Sequence, residues 1–296
     1  MRGILSRCMA RFKAFRTFIR FPLIRIVLAS IAVVAAFVAA QKIAGLLPLE
    51  RMGRALAAAL ICIPAVYGAY YAYVRFVEQR PLFELSRRDA LKELGLGALI
   101  GMLLFTSTVG VLAALGVYQF TGLGSPANLI VPLMSALIAG VFEEVLFRGI
   151  VFRIIEGWVG TWLSMVVSAI IFGLIHLVNP HATLIGAIAI IFEAGILLAA
   201  AYLMTRRLWF PIGLHAAWNF TQGGVFGIAV SGVPAKGFLL GALTGPDWLS
   251  GGTFGAEASV VAIVMCLAVA LGFISWARRS NRILYPWRAP AGRAAP

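Results

Sequence analysis

NLIVPLMSALIAGVFEEVLFRGIVFRI, residues 128–154, is long enough to cross a bilayer as one helix, and its first fifteen residues carry no charge. Glu143, Glu144 and Arg148 then fall inside the span rather than at its end. An ionisable group in hydrocarbon costs roughly 3 kcal/mol or more, so three in one helix demand partners or a task. Glu144 and Arg148 stand four residues apart on one face, where they can pair. Glu143 points about 100° away and has no local partner.

The same reading extends outward in both directions. Apolar runs separated by short polar or basic breaks give eight candidate spans, at about 26–47, 55–77, 94–118, 128–154, 161–178, 183–204, 209–230 and 257–277. Of 296 residues 61% are hydrophobic and 12% charged, which excludes an ordinary soluble domain. The expected fold is all-α, a polytopic helical bundle of about eight membrane-spanning helices with the lipid bilayer as its solvent. Cys8, Cys62 and Cys266 show neither a disulfide framework nor a thiolate metal cage.

A net charge of +14 would suggest nucleic acid in a soluble protein. Here the charges cluster at alternate breaks, so membrane orientation explains them and no nucleic-acid partner is expected. With the N-terminus cytoplasmic, 21 Lys and Arg residues, Arg148 and Arg153 among them, fall inside; Lys42, Arg51, Arg54 and Lys236 fall outside. That split calls for an even number of spans and two cytoplasmic termini. The basic stretch before residue 26 is read as a topology signal preceding a first anchor rather than as a cleaved signal peptide. EQRPLFELSRRDALKEL is expected along the cytoplasmic surface before the third span, and 231–256 as irregular or re-entrant chain. Trp209, Trp276 and Trp287 suit interfacial anchors.

The remaining intramembrane polar residues form a short list. Phe172 and His176 share one helical face, as do His215 and Asn219, while Glu193 lies in the sixth span. Glu193 is read as an extra cavity-lining acid, a partner for an arginine or a group near the membrane edge. His181, after Pro180, is read as a solvated loop histidine. The pair Glu144 and Arg148 can serve as structural glue, whereas Glu143 is favoured for chemistry. A water polarised by a carboxylate and a histidine, with amide and imidazole donors facing the developing oxyanion, suffices for attack on a peptide carbonyl.

EEVLFR fits an EExxxR motif, FGLIH fits FxxxH and HAAWN fits HxxxN, in the order found in the CAAX-protease and bacteriocin-processing family, which the chain resembles over about 84–232. The resemblance implies the all-helical bundle of the type II CAAX prenyl endopeptidases. It also implies an intramembrane endopeptidase acting on a membrane-associated, in some cases prenylated, protein or peptide. In it Glu143 and His176 activate water, His215 and Asn219 stabilise the oxyanion, Glu144 supports and Arg148 orients the acids. Glu143, His176 and His215 could hold zinc, and a metal-free mechanism uses the same residues, so both stay open. The division expected is 1–83 for the basic arm and two additional helices, 84–232 for the catalytic core, and 233–296 for an outer loop, last helix and basic tail. The expected setting is a bacterial plasma membrane. The rival functions are a non-catalytic scaffold or immunity-type binding protein of the same fold and a proton-coupled transporter. HExxH, GxGD and a histidine-paired GxSG are all missing, which disfavours other intramembrane protease classes.

Overall fold

The computed structural model describes residues 21–286, so the basic arm, Cys8, Trp287 and the end of the tail lie outside the described residues. Among the described residues seven helices are long and apolar enough to cross a membrane: α1 (Pro22–Leu46), α2 (Arg51–Glu78), α3 (Ala90–Ala114), α4 (Pro126–Val159), α5 (Thr161–Val178), α6 (Leu184–Thr205) and α8 (Val260–Arg279). Between the last two runs α7, residues 209–225, shorter than the others and buried over most of its length. The chain is therefore an integral, multi-pass helical membrane protein.

Contacts between helix ends show that the eight passes alternate in direction. Arg25 and Arg153 both pair with Glu78, at 2.5 and 2.9 Å, while Arg206 pairs with Glu156 and Arg207 with Glu93. Phe21 meets Trp158, and the Thr161 N–H donates to Leu284 O at 2.9 Å. Both ends of the described chain thus reach one basic end of the bundle. Trp209 and Trp276 stand there too, Trp209 donating to Ser86 O and Trp276 lying beneath the Arg282 guanidinium. Among the described residues Lys42, Arg51, Arg54 and Lys236 are the cations toward the opposite end. Arg148 does not belong with the cytoplasmic charges: it is fully buried in the bundle.

Two connections add detail to the sequence reading. Residues 79–89 lie as turns at the basic end, mostly exposed as expected, with Glu84 and Leu85 drawn under the bundle, Glu84 pairing with Arg80 and Arg153. At the opposite end the loop after α7 is not wholly irregular. Its β2 (Leu239–Leu243) pairs antiparallel with β1 (Tyr118–Leu123) in the connection after α3, giving the loop's backbone groups partners at the rim.

Helix α7 packs most extensively on α3, and glycine allows that approach. A Cβ on Gly97, Gly101 or Gly213 would stand 2.1–2.3 Å from a backbone carbonyl oxygen of the facing helix. The Gly97 and Gly101 spacing is the small-xxx-small pattern by which membrane helices meet backbone to backbone. This contact sets the depth and rotation of α7. Gly101→Ala should consequently lower the thermal unfolding midpoint in detergent, with overpacking of about 1–3 kcal/mol. Gly110→Ala in the same helix, with open space at its Cβ, should leave the midpoint unchanged or slightly raised.

Candidate active site

Glu143 and Glu144 lie midway along α4, about 24 Å from Val159 by helical rise, and His176 lies about 22 Å from Thr161. Counted from the chain break before it, His215 would be far shallower. The folded-in 79–89 turn removes that mismatch. The Leu208 N–H donates to Glu84 O at 2.8 Å, and Glu84 pairs with Arg153 about 15 Å along α4 from Glu143, so α7 starts level with Arg153, short of the end of α4. The residues read as a site from the sequence are brought together, and His181 is not among them: it stands exposed in the α5–α6 turn with φ 54°.

At the centre is a charge network sealed from solvent. Arg148 donates to Glu144 Oε1 at 2.9 Å and to the carbonyls of Ala194 and Gly195 at 3.1 Å each, where α6 widens into a π-turn at Ile191–Gly195. Its guanidinium lies 4.5 Å from the Phe172 ring centroid. Glu144 Oε1 also accepts from His215 Nδ1 at 2.9 Å. One carboxylate oxygen therefore joins α4 to α7, while one guanidinium joins α4 to α6.

Glu143 turns the other way, as its 100° offset requires. Its Oε2 has no hydrogen-bond partner in the protein and lies 3.9 Å from both His176 Nε2 and His215 Nε2. That separation exceeds a direct hydrogen bond and suits a bridging water. The other nitrogen of each ring fixes its aim. His176 Nδ1 lies 2.7 Å from Phe172 O, and because a carbonyl only accepts, Nδ1 carries the proton and Nε2 of the neutral ring presents a lone pair. Phe172 walls the site, its ring centroid 4.9 Å from that of His176 and 6.1 Å from that of His215. Asn219, one turn beyond His215, keeps its amide free toward the cavity.

The donor set of Glu143, His176 and His215 has the chemistry of an open zinc site, and both rings have the second-sphere oxygen such sites use. The spacing does not fit. Ligands about 2.0–2.1 Å from a tetrahedral ion lie about 3.3 Å apart, against 3.9 Å here, and no group of three His, Cys, Asp or Glu among the described residues could hold a metal ion.

Two cavities meet at these side chains. The larger, about 740 Å³, has Glu143, His176 and Asn219 at its floor and reaches Arg51, Asn128 and Lys236. A smaller one of about 20 Å³, the size of a single water, lies behind the histidines and is lined by Glu193 and Glu257. Glu193 therefore lines a cavity and has no arginine partner among the described residues; it is 1% exposed and has Cys266 Sγ at 3.8 Å. Glu257 and Ser231 were not read as site residues. Glu257 accepts from the Ser231 backbone N–H, and burial pushes its carboxyl up from the usual range. A carboxylate at the expected start of the last span looks like an interfacial charge in the sequence, and the fold of 226–259 is what turns it inward.

Residues 125–221 match the family described as type II CAAX prenyl endopeptidase Rce1-like, and this segment contains all seven motif residues. A curated relative, "Putative membrane peptidase YdiL" of Bacillus subtilis (strain 168), is 28% identical over 127 residues, covering 42% of this chain and 48% of its own length. The chain thus spans about half the length of the curated relative it matches. No solved structure matches it significantly.

The network gives a stability prediction. Arg148→Met leaves Glu144 buried with only the His215 ring as its partner and should cost about 3–5 kcal/mol. The double change Glu144→Gln, Arg148→Met should be the more stable of the two. Unfolding midpoints in detergent check this, and losses that simply add would contradict it.

Proposed function

We propose that this chain, a member of the CAAX-protease and bacteriocin-processing family through residues 125–221, is an intramembrane endopeptidase that cleaves a membrane-associated protein or peptide. The observation that carries the reading is the unpartnered Glu143 Oε2 set 3.9 Å from two histidine Nε2 atoms at the floor of an open cavity.

Water held between Glu143 Oε2 and His176 Nε2 donates to both. Glu143 takes a proton as the water oxygen attacks the scissile carbonyl, forming the C–O bond and moving the carbonyl electron pair onto oxygen. The Asn219 amide and a protonated His215 donate to that oxyanion. The His215 ring is aimed for this by Glu144 on Nδ1, which leaves Nε2 facing Glu143 and the cavity. The C–N bond then breaks, and the proton held by Glu143 passes to the leaving amine. Every role is filled by the protein's own side chains, so no metal is required. Arg148 takes no part in proton transfer; it holds Glu144, and through it the His215 ring.

The plasma membrane of a bacterium is the setting we propose. Purified protein should cleave members of a library of membrane-associated peptides. Glu143→Gln should lose about 10²–10⁴-fold in kcat with its unfolding midpoint retained, and cleavage should persist with a strong chelator. A folded parent that cleaves nothing sinks the peptidase reading, whereas activity abolished by chelation and restored by zinc sinks the metal-free one.

A further inference from the structure

The lining of the large cavity runs from Glu143 toward one end of the bundle. Toward the basic end, Glu144 and Arg148 are fully buried, and beyond them the rings of Phe152 and Tyr202 fill the interior, 5.6 Å between centroids. Toward the other end the cavity is walled by the first residues of α2 and α4 and by the loop after α7, where Val233 is 47% exposed. That end holds four cations among the described residues, while arginines crowd the opposite one. The bias of Lys and Arg toward the cytoplasm orients the bundle, so the mouth faces away from the cytoplasm.

A face so poor in positive charge places two of its four cations, Arg51 and Lys236, on the wall of this one cavity. Both are exposed, and neither makes an ion pair with a described residue. Among the residues that line the cavity the only acid is Glu143, at the floor. The volume of about 740 Å³ lies within the range of pockets that enclose a ligand of a few residues' bulk. The gradient, cationic at the mouth and anionic at the floor, would draw in a segment whose carboxylate stays near the rim while a neutral peptide bond reaches Glu143.

We infer that the site is loaded from the non-cytoplasmic face, by a polypeptide segment that brings a carboxylate to Arg51 and Lys236. The access half stands on the fold and the charge bias alone; calling the segment a substrate rests on the peptidase reading above. The carboxylate is that of a chain terminus or of an acidic side chain, and the binding arm below separates them.

Two experiments test the two halves without relying on turnover. In a Cys8→Ser chain expressed in intact cells, Val233→Cys should react with a membrane-impermeant maleimide, and Ser280→Cys at the basic end only after permeabilisation. Cys62 and Cys266 are buried and give a low background. The reverse labelling order overturns the access assignment whether or not the protein is a peptidase. For the carboxylate, peptide pairs that differ only as Asp against Asn, or as terminal acid against amide, are titrated against the Glu143→Gln chain. The expected result is tighter binding of the acidic member of one pair, with that preference falling about 3- to 5-fold when Arg51→Gln and Lys236→Gln are added. Equal affinities within both pairs, no binding, or a preference that survives both substitutions overturns it. Cleavage by the parent is measured separately, so its failure counts against the peptidase reading alone.

Discussion

Arg148 carries its charge at the centre of the bundle with no exposed surface, and four helices are arranged to answer it. From α4 it reaches Glu144 one turn away, takes two carbonyls from the widened turn of α6, and lies over the Phe172 ring of α5. Glu144 extends the network to His215 on α7. An isolated guanidinium in hydrocarbon is prohibitive, so these helices have little freedom to slide or rotate against each other without leaving a charge unpaired. The cost of that charge is offset by its partners, and the reacting groups inherit their register from the arrangement.

The same logic divides the two adjacent glutamates by task. Glu144 is spent on the arginine and one imidazole, while Glu143, rotated by one residue on the same helix, faces the cavity with Oε2 unpartnered. Each histidine is fixed through Nδ1 and aimed through Nε2, one by a backbone carbonyl and the other by Glu144. Behind them the chamber bounded by Glu193 and Glu257 puts two more carboxyl groups within the buried region. The bundle is also unlike at its two ends. One is drawn shut by Arg25, Arg153 and Arg206 on their glutamates, and the other is bridged by a single strand pair and left open above Glu143.

Much of this was legible along the chain. The count and approximate limits of the eight passes follow from apolar length, because hydrocarbon tolerates only continuous helix of that length. The pairing of Glu144 with Arg148 and the isolation of Glu143 follow from helical periodicity. The turn at 79–89 was legible as a surface segment, but the burial of Glu84 and Leu85 within it was not, because Glu84 is held by Arg153, a partner 69 residues away. The strand pair was invisible for the same reason: β1 and β2 lie more than a hundred residues apart and neither is an edge without the other.

By itself the sequence determined the solvent, the fold class, the direction of the charge bias and the six side chains at the centre, since each follows from composition or from spacing within one helix. Tertiary structure alone decided that α7 begins level with Arg153, that Gly97, Gly101 and Gly213 bring its backbone against α3, and that His215 consequently arrives level with Glu143. It also decided that Glu257 turns inward and that Arg51 and Lys236 share one cavity wall. These are distances between separate helices and loops, set by how closely two backbones can approach and by which buried charges must meet. Neither quantity is written in the periodicity of a single span.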